Sequence, residues 1–205
     1  MGKFISVFIT IGVIAFLLIF GGVFYIVNES EQVVITQFGK PVGDPITTPG
    51  LKLKKPFLET ANYFDKRFLA WDGAPKQVST RDKRFININT YARWRISDPL
   101  QYAKRLFDES KALTRLGSVL EGATQNAIAN HDLIELVRSS NRDYAANNAD
   151  SDQSKKEKAV IESGRDALTK EILELAKSST SDLGIEILDF KFKRINYVPE
   201  VRKKV

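Results

Sequence analysis

The longest apolar run of the chain lies at its amino terminus. Residues 4–27 form 24 consecutive positions without a charged side chain. A helix of that length would extend about 36 Å, which exceeds the roughly 30 Å of a bilayer's hydrocarbon core. The run is longer than the apolar part of a secretory signal peptide and ends without a small-residue cleavage site. We therefore expect an uncleaved transmembrane anchor over residues 1–27.

The charges that flank this run indicate its orientation. Lys3 precedes the run, whereas Glu29 and Glu31 follow it. Because positive residues tend to remain in the cytoplasm, the pattern favours a cytoplasmic amino terminus and places the following domain on the other side of the membrane.

Short alternating segments then predict a β-rich region over residues 28–96. These segments are rich in β-branched or alternating residues and are separated by glycine- or proline-containing breaks. The predicted strands are 32–38, 51–54, 60–70, 76–80 and 85–96. In the segment Leu51–Lys54 the leucines alternate with lysines, which predicts a half-buried strand. The last strand, Phe85–Ile96, places Ile86, Trp94 and other apolar residues on one face, which we expect to meet a core.

A change to helical spacing predicts an α/β region over residues 97–199. Asp98 and Pro99 have the residue types of a helix cap and a first helical position. Apolar residues at helical spacing begin at Leu113, resume after Asp132, which has the residue type of a cap, and recur between residues 160 and 175. A polar loop is predicted within 139–158. A strand over 185–198 changes apolar phase after Ile187, which predicts a β-bulge. Residues 200–205 resemble the start of a helix.

Composition restricts the chemistry. The chain has no cysteine, which excludes disulfides, thiolate metal sites and a cysteine nucleophile. It has 31 Lys and Arg against 25 Asp and Glu, a net charge of +6. The charge is spread in short clusters, so we expect an anionic lipid surface rather than nucleic acid as its partner.

One basic cluster adjoins apolar residues and is the candidate lipid contact. It comprises Lys52, Lys54, Lys55, Phe57 and Leu58. Each lysine near an anionic membrane adds about 1 kcal/mol of attraction. The alternatives are a solvated surface for the lysines and a loop packed on its own domain for Phe57 and Leu58.

The sequence contains no constellation that we would assign to catalysis. The sole histidine, His131, lies between two predicted helices, as expected of a linker or cap. Composition leaves a Ser-His-Asp triad open, but no serine has a nucleophile-elbow context. The phosphate-binding glycine motifs are also missing from the sequence. We expect neither catalytic residues nor a bound metal or cofactor.

Four motifs resemble those of one superfamily in order and spacing. Residues 28–40 contain a pattern similar to "E-x-x-V-x-x-x-F-G-K", and residues 49–57 one similar to "P-G-L-H-F-K-x-P-F". The segments 91–99 and 183–196 resemble two further motifs. Together they resemble the stomatin, prohibitin, flotillin and HflK/HflC (SPFH, band 7) superfamily, most closely its HflC branch.

The resemblance implies an α+β fold, with a transmembrane helix followed by an SPFH domain that has a mainly β first half and an α/β second half. It also implies a non-enzymatic scaffold that assembles with an HflK-like sister protein around an FtsH-type ATP-dependent metalloprotease. The implied location is the bacterial inner membrane, with the domain in the periplasm. Family members continue into a long helix beyond the position of Val205, so a truncated chain and a protein that works without that helix are both open.

Three functional hypotheses follow. The first is the protease-regulating scaffold. The second is a stomatin- or prohibitin-like organiser of lipid domains that has no protease partner. The third is a membrane-tethered hydrolase that uses a serine and His131.

Overall fold

The structure, a computed structural model, describes residues 2–20, 22–139 and 164–197. The chain forms two compact units, of which the first contains Met1–Phe68, Arg95–Lys111 and Asp182–Ile185. The second contains Leu69–Trp94, Ala112–Ser181 and Glu186–Val205. These bounds differ from the expected single boundary between residues 96 and 97, because the strands within 69–94 pair with one another. The predicted polar loop beyond residue 139 and the helix start at 200–205 lie outside the described residues.

Helix α1, Gly2–Phe20, is shorter than the predicted anchor. The expectation of one helix through residue 27 is wrong, because Phe24–Val27 forms strand β1. Gly22 has a positive φ of 66°, a conformation that commonly ends helices. The Gly21-Gly22 pair was the signal in the sequence for this early end. No helix among the described residues is long and apolar enough to cross a membrane.

The first unit holds two small antiparallel sheets. Its remaining strands are β2 (Glu31–Gln37), β3 (Lys40–Pro41), β4 (Gly50–Leu53) and β5 (Glu59–Asp65). Strand β1 pairs with β4, and the second sheet has the order β3-β2-β5. The predicted strand 60–70 is thus interrupted after Asp65, where the Asp65 carboxylate accepts a hydrogen bond of 2.8 Å from the backbone N–H of Arg67.

Apolar residues from both sheets form the core of this unit. Tyr25 and Val27 are buried together with Val33 and Ile35. Helix α2, Pro99–Arg105, contacts β2 and β3. The Asp98 carboxylate accepts hydrogen bonds from the backbone of Leu100 and Gln101, which confirms the predicted cap.

The second unit is built on a larger antiparallel sheet. Its strands are β6 (Leu69–Asp72), β7 (Lys76–Ser79), β8 (Phe85–Ile96) and β9 (Ile185–Tyr197). Strands β6 and β7 both pair with β8, and three residues, 73–75, lie opposite two, 89–90. The predicted break at 72–75 is therefore a bulge that keeps both segments along β8.

The alternation in β8 agrees with the sequence prediction. Ile86, Ile88, Ala92, Trp94 and Ile96 are all buried. In β9 the buried positions change from Ile185 and Ile187 to Phe190 and Phe192. The apolar phase therefore slips within this strand, as predicted.

The helices of the second unit cover buried apolar side chains. They are α3 (Glu109–Asn130), α4 (Leu133–Val137) and α5 (Gly164–Thr180), after which Ser181–Leu183 forms a 3₁₀ turn. The stripe of α5 consists of Leu168, Ile172 and Ala176, whereas Leu175 is 40% exposed. Asp132 occupies the predicted cap position of α4, but its carboxylate makes no capping hydrogen bond.

Candidate lipid-facing surface

The paired strands β1 and β4 expose four large apolar side chains on one face. The register sets Phe24 opposite Leu53 and Ile26 opposite Leu51. Directly opposed residues of an antiparallel pair lie on the same face. Their exposed fractions are 50% and 67% for the first pair and 62% and 64% for the second. We call these four side chains the outer ribbon face.

The opposite face of the same ribbon is the one that packs on the domain. Tyr25 is 6% and Val27 1% exposed. Lys52 lies opposite Tyr25 and is half-buried. Leu51 and Leu53 therefore lie on the exposed side of β4, and Lys52 lies on the side that packs. The side chains of residues 51–54 do alternate between the two faces. The lysine side of β4 faces inward because it lies on the same face as the buried Tyr25.

Two exposed phenylalanines lie in the turns beside this ribbon. Phe38, between β2 and β3, is 83% exposed, and Phe57, between β4 and β5, is 86% exposed. Both have positive φ angles, of 49° and 64°. A left-handed conformation costs a bulky residue about 1–2 kcal/mol. Each turn therefore carries an exposed aromatic ring on a strained backbone, and we call the two residues the turn aromatics.

The register of the second sheet places these turns at the same end. Gln37 pairs with Glu59 as the last pair of β2 and β5. Phe38 and Leu58 are the residues that follow this pair outward. Leu58 is 45% exposed. Apolar side chains from two turns therefore emerge at one edge of the first unit.

The lysines at this edge hold the β4–β5 turn through Glu59. The Lys54 ammonium donates a 3.0 Å hydrogen bond to the Glu59 carbonyl. The Lys55 backbone N–H donates to the Glu59 carboxylate at 2.8 Å, and the Lys55 ammonium lies 3.5 Å from its other oxygen. The Lys55 side chain is 72% exposed, so its positive charge remains open to an anionic surface.

Helix α1 joins the first unit at this same edge. The Lys54 backbone N–H donates a 2.8 Å hydrogen bond to the carbonyl of Val23, three residues after the helix ends. Large apolar side chains of α1 are more than half exposed: Phe4, Ile5, Val7, Ile9, Ile11, Val13, Ile14 and Phe16. An apolar helix with exposed side chains and an exposed apolar ribbon face are thus consecutive in the chain.

The comparison with protein families decides the fold family. Residues 25–205 match the model of the "SPFH domain / Band 7 family". The chain belongs to this family. Its fold is the α+β fold of an SPFH domain.

Curated relatives place this SPFH domain near one branch. It is 34% identical over 187 residues to Protein HflC of Borreliella burgdorferi, covering 88% of this chain and 58% of the relative. It is 30% identical over 213 residues to Protein HflC of Treponema pallidum, covering 96% and 64%. It is 27% identical over 203 residues to the Modulator of FtsH protease HflC of Escherichia coli, covering 88% and 61%. The chain thus spans about three fifths of the length of these relatives.

His131 of the SPFH domain lies beside a backbone carbonyl oxygen and two carboxylates. Its Nδ1 lies 2.8 Å from the Ala127 carbonyl oxygen, and its Nε2 faces two carboxylates, Glu135 and Glu171. The neighbouring Asp132 accepts hydrogen bonds from the Arg81 guanidinium, which hold the pKa of that carboxyl below its usual value. Within the described part of the chain, no group of three or more His, Asp or Glu residues has the arrangement of a metal site.

The structure separates the five residues of the predicted lipid contact. Phe57, Leu58 and Lys55 are exposed, whereas Lys52 and Lys54 are half-buried. Neither the outer ribbon face nor Phe38 was predicted from the sequence. The signal for Phe38 was an aromatic residue before a turn glycine, and the signal for the ribbon was the shared alternation of residues 24–27 and 50–53.

Proposed function

We propose that this SPFH protein is a membrane-attached, non-enzymatic scaffold that acts with an HflK-like sister protein to regulate an FtsH-type ATP-dependent protease. Family membership and the similarity to a relative named a modulator of FtsH protease support the regulatory part. The exposed apolar surface of α1 and of the ribbon that follows it supports the membrane part.

In this proposal α1 lies in the lipid bilayer and the first unit rests on the membrane surface. The outer ribbon face, the turn aromatics and Leu58 contact the acyl boundary, while the exposed Lys55 faces the headgroups; Lys52 and Lys54, half-buried beside them, add positive charge close to the surface. Burial of apolar surface contributes about 25 cal/mol per Å², so covering these side chains is favourable. The membrane is the bacterial inner membrane, with a cytoplasmic amino terminus and the SPFH domain in the periplasm.

Lipid contact can be tested with tryptophan reporters and brominated lipids. Phe57→Trp in the full chain, reconstituted in vesicles, should be quenched by the bromines. Phe85→Trp is the matched control, because Phe85 is 51% exposed in the second unit. The native Trp71 and Trp94 are buried, so the unmodified chain supplies the background. Equal quenching of the two reporters would contradict the proposed contact.

Orientation can be tested because the chain has no cysteine. Ser118→Cys, on an exposed position of α3, would carry the only thiol. A membrane-impermeant maleimide should label it in cells with a permeabilised outer membrane, and should label Lys3→Cys only after lysis. The reverse labelling pattern would overturn the proposed orientation.

The scaffold role can be tested by the size and composition of the native complex. A tagged chain should be extracted from membranes in mild detergent as a large particle that contains an HflK-like protein and an AAA+ protease. A small species without either partner would contradict the regulatory proposal but would not contradict the proposed membrane attachment.

The lysine cluster also favours a second candidate, an organiser of lipid domains without a protease partner. Lys52→Gln with Lys55→Gln would weaken such a protein's retention of anionic lipid, and salt would weaken it further. Lys54 is retained because it holds the β4–β5 turn. Lys111→Gln with Lys170→Gln is the matched control at exposed sites. Lipid retention that survives the first pair of changes would reject this candidate.

A further inference from the structure

A cavity lies between helix α3 and the bulge that joins strands β6 and β7. Its space, part of which is open to solvent, measures about 250 Å³. The lining includes Ala74 of the bulge, Val78 of β7, Thr90 of β8 and Thr124 of α3. All four residues belong to the second unit, so the cavity is a feature of that unit alone.

Thr124 is the unusual residue of this lining. It is 2% exposed, and its hydroxyl has no hydrogen-bond partner among the described residues. Thr169 and Thr180 of α5 instead donate to the carbonyl oxygen four residues earlier, at 2.8 and 3.0 Å. The hydroxyl of Thr124 makes no such bond to the Leu120 carbonyl, although this acceptor is normally within reach of a helical threonine.

A second hydroxyl lies at the buried part of the same cavity. Thr90 is 6% exposed and also lines the cavity. Its hydroxyl adjoins the bulge, because a Cβ on Gly73 would lie 2.6 Å from Thr90 Oγ1. The glycine therefore leaves room beside this hydroxyl that a side chain would take.

A charged pair forms the more exposed part of the lining. Lys76 of β7 and Glu121 of α3 line the cavity, and their charged groups lie 2.6 Å apart. Their side chains are 46% and 38% exposed, so the cavity opens to solvent beside them. These are the charged residues of the lining that the structure describes. Because each neutralises the other, the site favours a neutral molecule over an ion.

The chemistry of the lining suits water. Burying a hydroxyl without a hydrogen bond is destabilising, and an internal water compensates where it finds two or more polar partners. Water takes up about 30 Å³, which the cavity can hold. A hydroxyl both donates and accepts, so two hydroxyls can bind one water in more than one orientation.

We propose that this cavity binds a resident water molecule, which hydrogen-bonds to the hydroxyls of Thr124 and Thr90 and so connects α3 with the sheet beside the bulge. The water supplies the bond that Thr124 does not make within its helix. The proposal concerns the second unit and does not depend on the function proposed above.

The first test measures the stability of Thr124→Val, which keeps the shape of the side chain and removes its hydroxyl. Since valine and threonine have similar helix propensities, the helix itself is little affected. Loss of the bond to the water should lower the thermal unfolding midpoint of the full chain in detergent by about 2–4 °C. If the hydroxyl had no partner at all, its removal would instead raise the midpoint. A raised or unchanged midpoint would overturn the proposal.

Thr169→Val is the matched control for this replacement. The hydroxyl of Thr169 bonds within its own helix, to the Arg165 carbonyl at 2.8 Å. Because such a bond within a helix adds little stability, the midpoint of this variant should stay nearly unchanged. An equal fall in both valine variants would mean that the loss at Thr124 does not report a bound water, and would contradict the proposal.

The second test counts the water directly. Relaxation dispersion of the water oxygen signal detects water molecules that stay in a protein far longer than those on its surface. Thr124→Val should lower the dispersion amplitude of the full chain by the equivalent of one water molecule. Thr124→Ser keeps the hydroxyl and should retain the amplitude of the unmodified chain. Equal amplitudes in the two variants would overturn the proposal, whatever their stabilities.

Discussion

Phe24 of β1 lies directly across from Leu53 of β4, and both side chains are exposed. The next alternate pair, Ile26 and Leu51, repeats the arrangement. Exposed apolar pairs on a ribbon are unusual for a surface that meets only water, because each adds uncovered apolar area. Their position directly after an apolar helix is the relationship on which the proposed membrane contact rests.

The first prediction separates the two faces of the ribbon. Phe24→Thr with Leu53→Thr should change the free energy of unfolding in detergent by no more than about 0.5 kcal/mol, because both side chains are exposed. Val27→Ala, on the buried face, should cost about 2 kcal/mol. Urea unfolding followed by far-ultraviolet circular dichroism measures both. A large loss from the double threonine variant would mean that the outer face is covered by protein.

Local features of the fold could be predicted from the sequence where one segment determines its own burial or hydrogen bonding. Strand β8 alternates along its full length, and its predicted inner face is buried. The Asp98 cap needs only backbone N–H groups two and three residues away. Neither feature depends on a distant partner.

Features that depend on partners could not be predicted in the same way. Which side of β4 faces inward is decided by Tyr25 in another strand, so alternation alone does not tell whether the leucines or the lysines of β4 are exposed. Similarly, the apolar composition of residues 24–27 suits a helix in lipid as well as a strand, and pairing with β4 decides between them. Only part of the candidate surface could therefore be predicted from the sequence.

The second prediction concerns Gly184, which directly precedes β9 and has φ +71°. A Cβ at this position would collide with the Asp98 carbonyl oxygen and lie 2.7 Å from the Tyr102 backbone nitrogen. Gly184→Ala should destabilise the chain by more than the roughly 1–2 kcal/mol of the left-handed conformation alone. Gly122→Ala is the matched control, because a Cβ there meets nothing within 4 Å and favours the helix by up to about 1 kcal/mol. The thermal unfolding midpoints of the two variants should therefore shift in opposite directions. A similar shift in both variants would contradict the close packing at Gly184.

The third prediction concerns the cap of α2. Asp98→Ala removes acceptors for two backbone N–H groups, at 2.9 and 3.0 Å, and should cost about 1 kcal/mol. Asp98→Asn keeps an acceptor oxygen and should restore most of this stability. Chemical denaturation of the two variants checks the comparison. Equal losses would show that the negative charge, rather than the hydrogen bonds, stabilises the helix start.

The fourth prediction concerns Tyr102, whose ring is 2% exposed and packs edge-on against Phe64 with centroids 5.3 Å apart. Burial, reinforced by the negative charges of Glu109 and Asp108, raises the pKa of Tyr102 to about 12. An unfolded tyrosine ionises near pH 10. Because the folded state favours the neutral phenol, its contribution to stability is complete below about pH 10 and is lost as the pH rises toward 12. Tyr102→Phe cannot ionise, so its urea midpoint should fall less than that of the unmodified chain between pH 9.5 and pH 11.5. Parallel losses in the two chains would mean that Tyr102 ionises as readily in the folded protein as in the unfolded one.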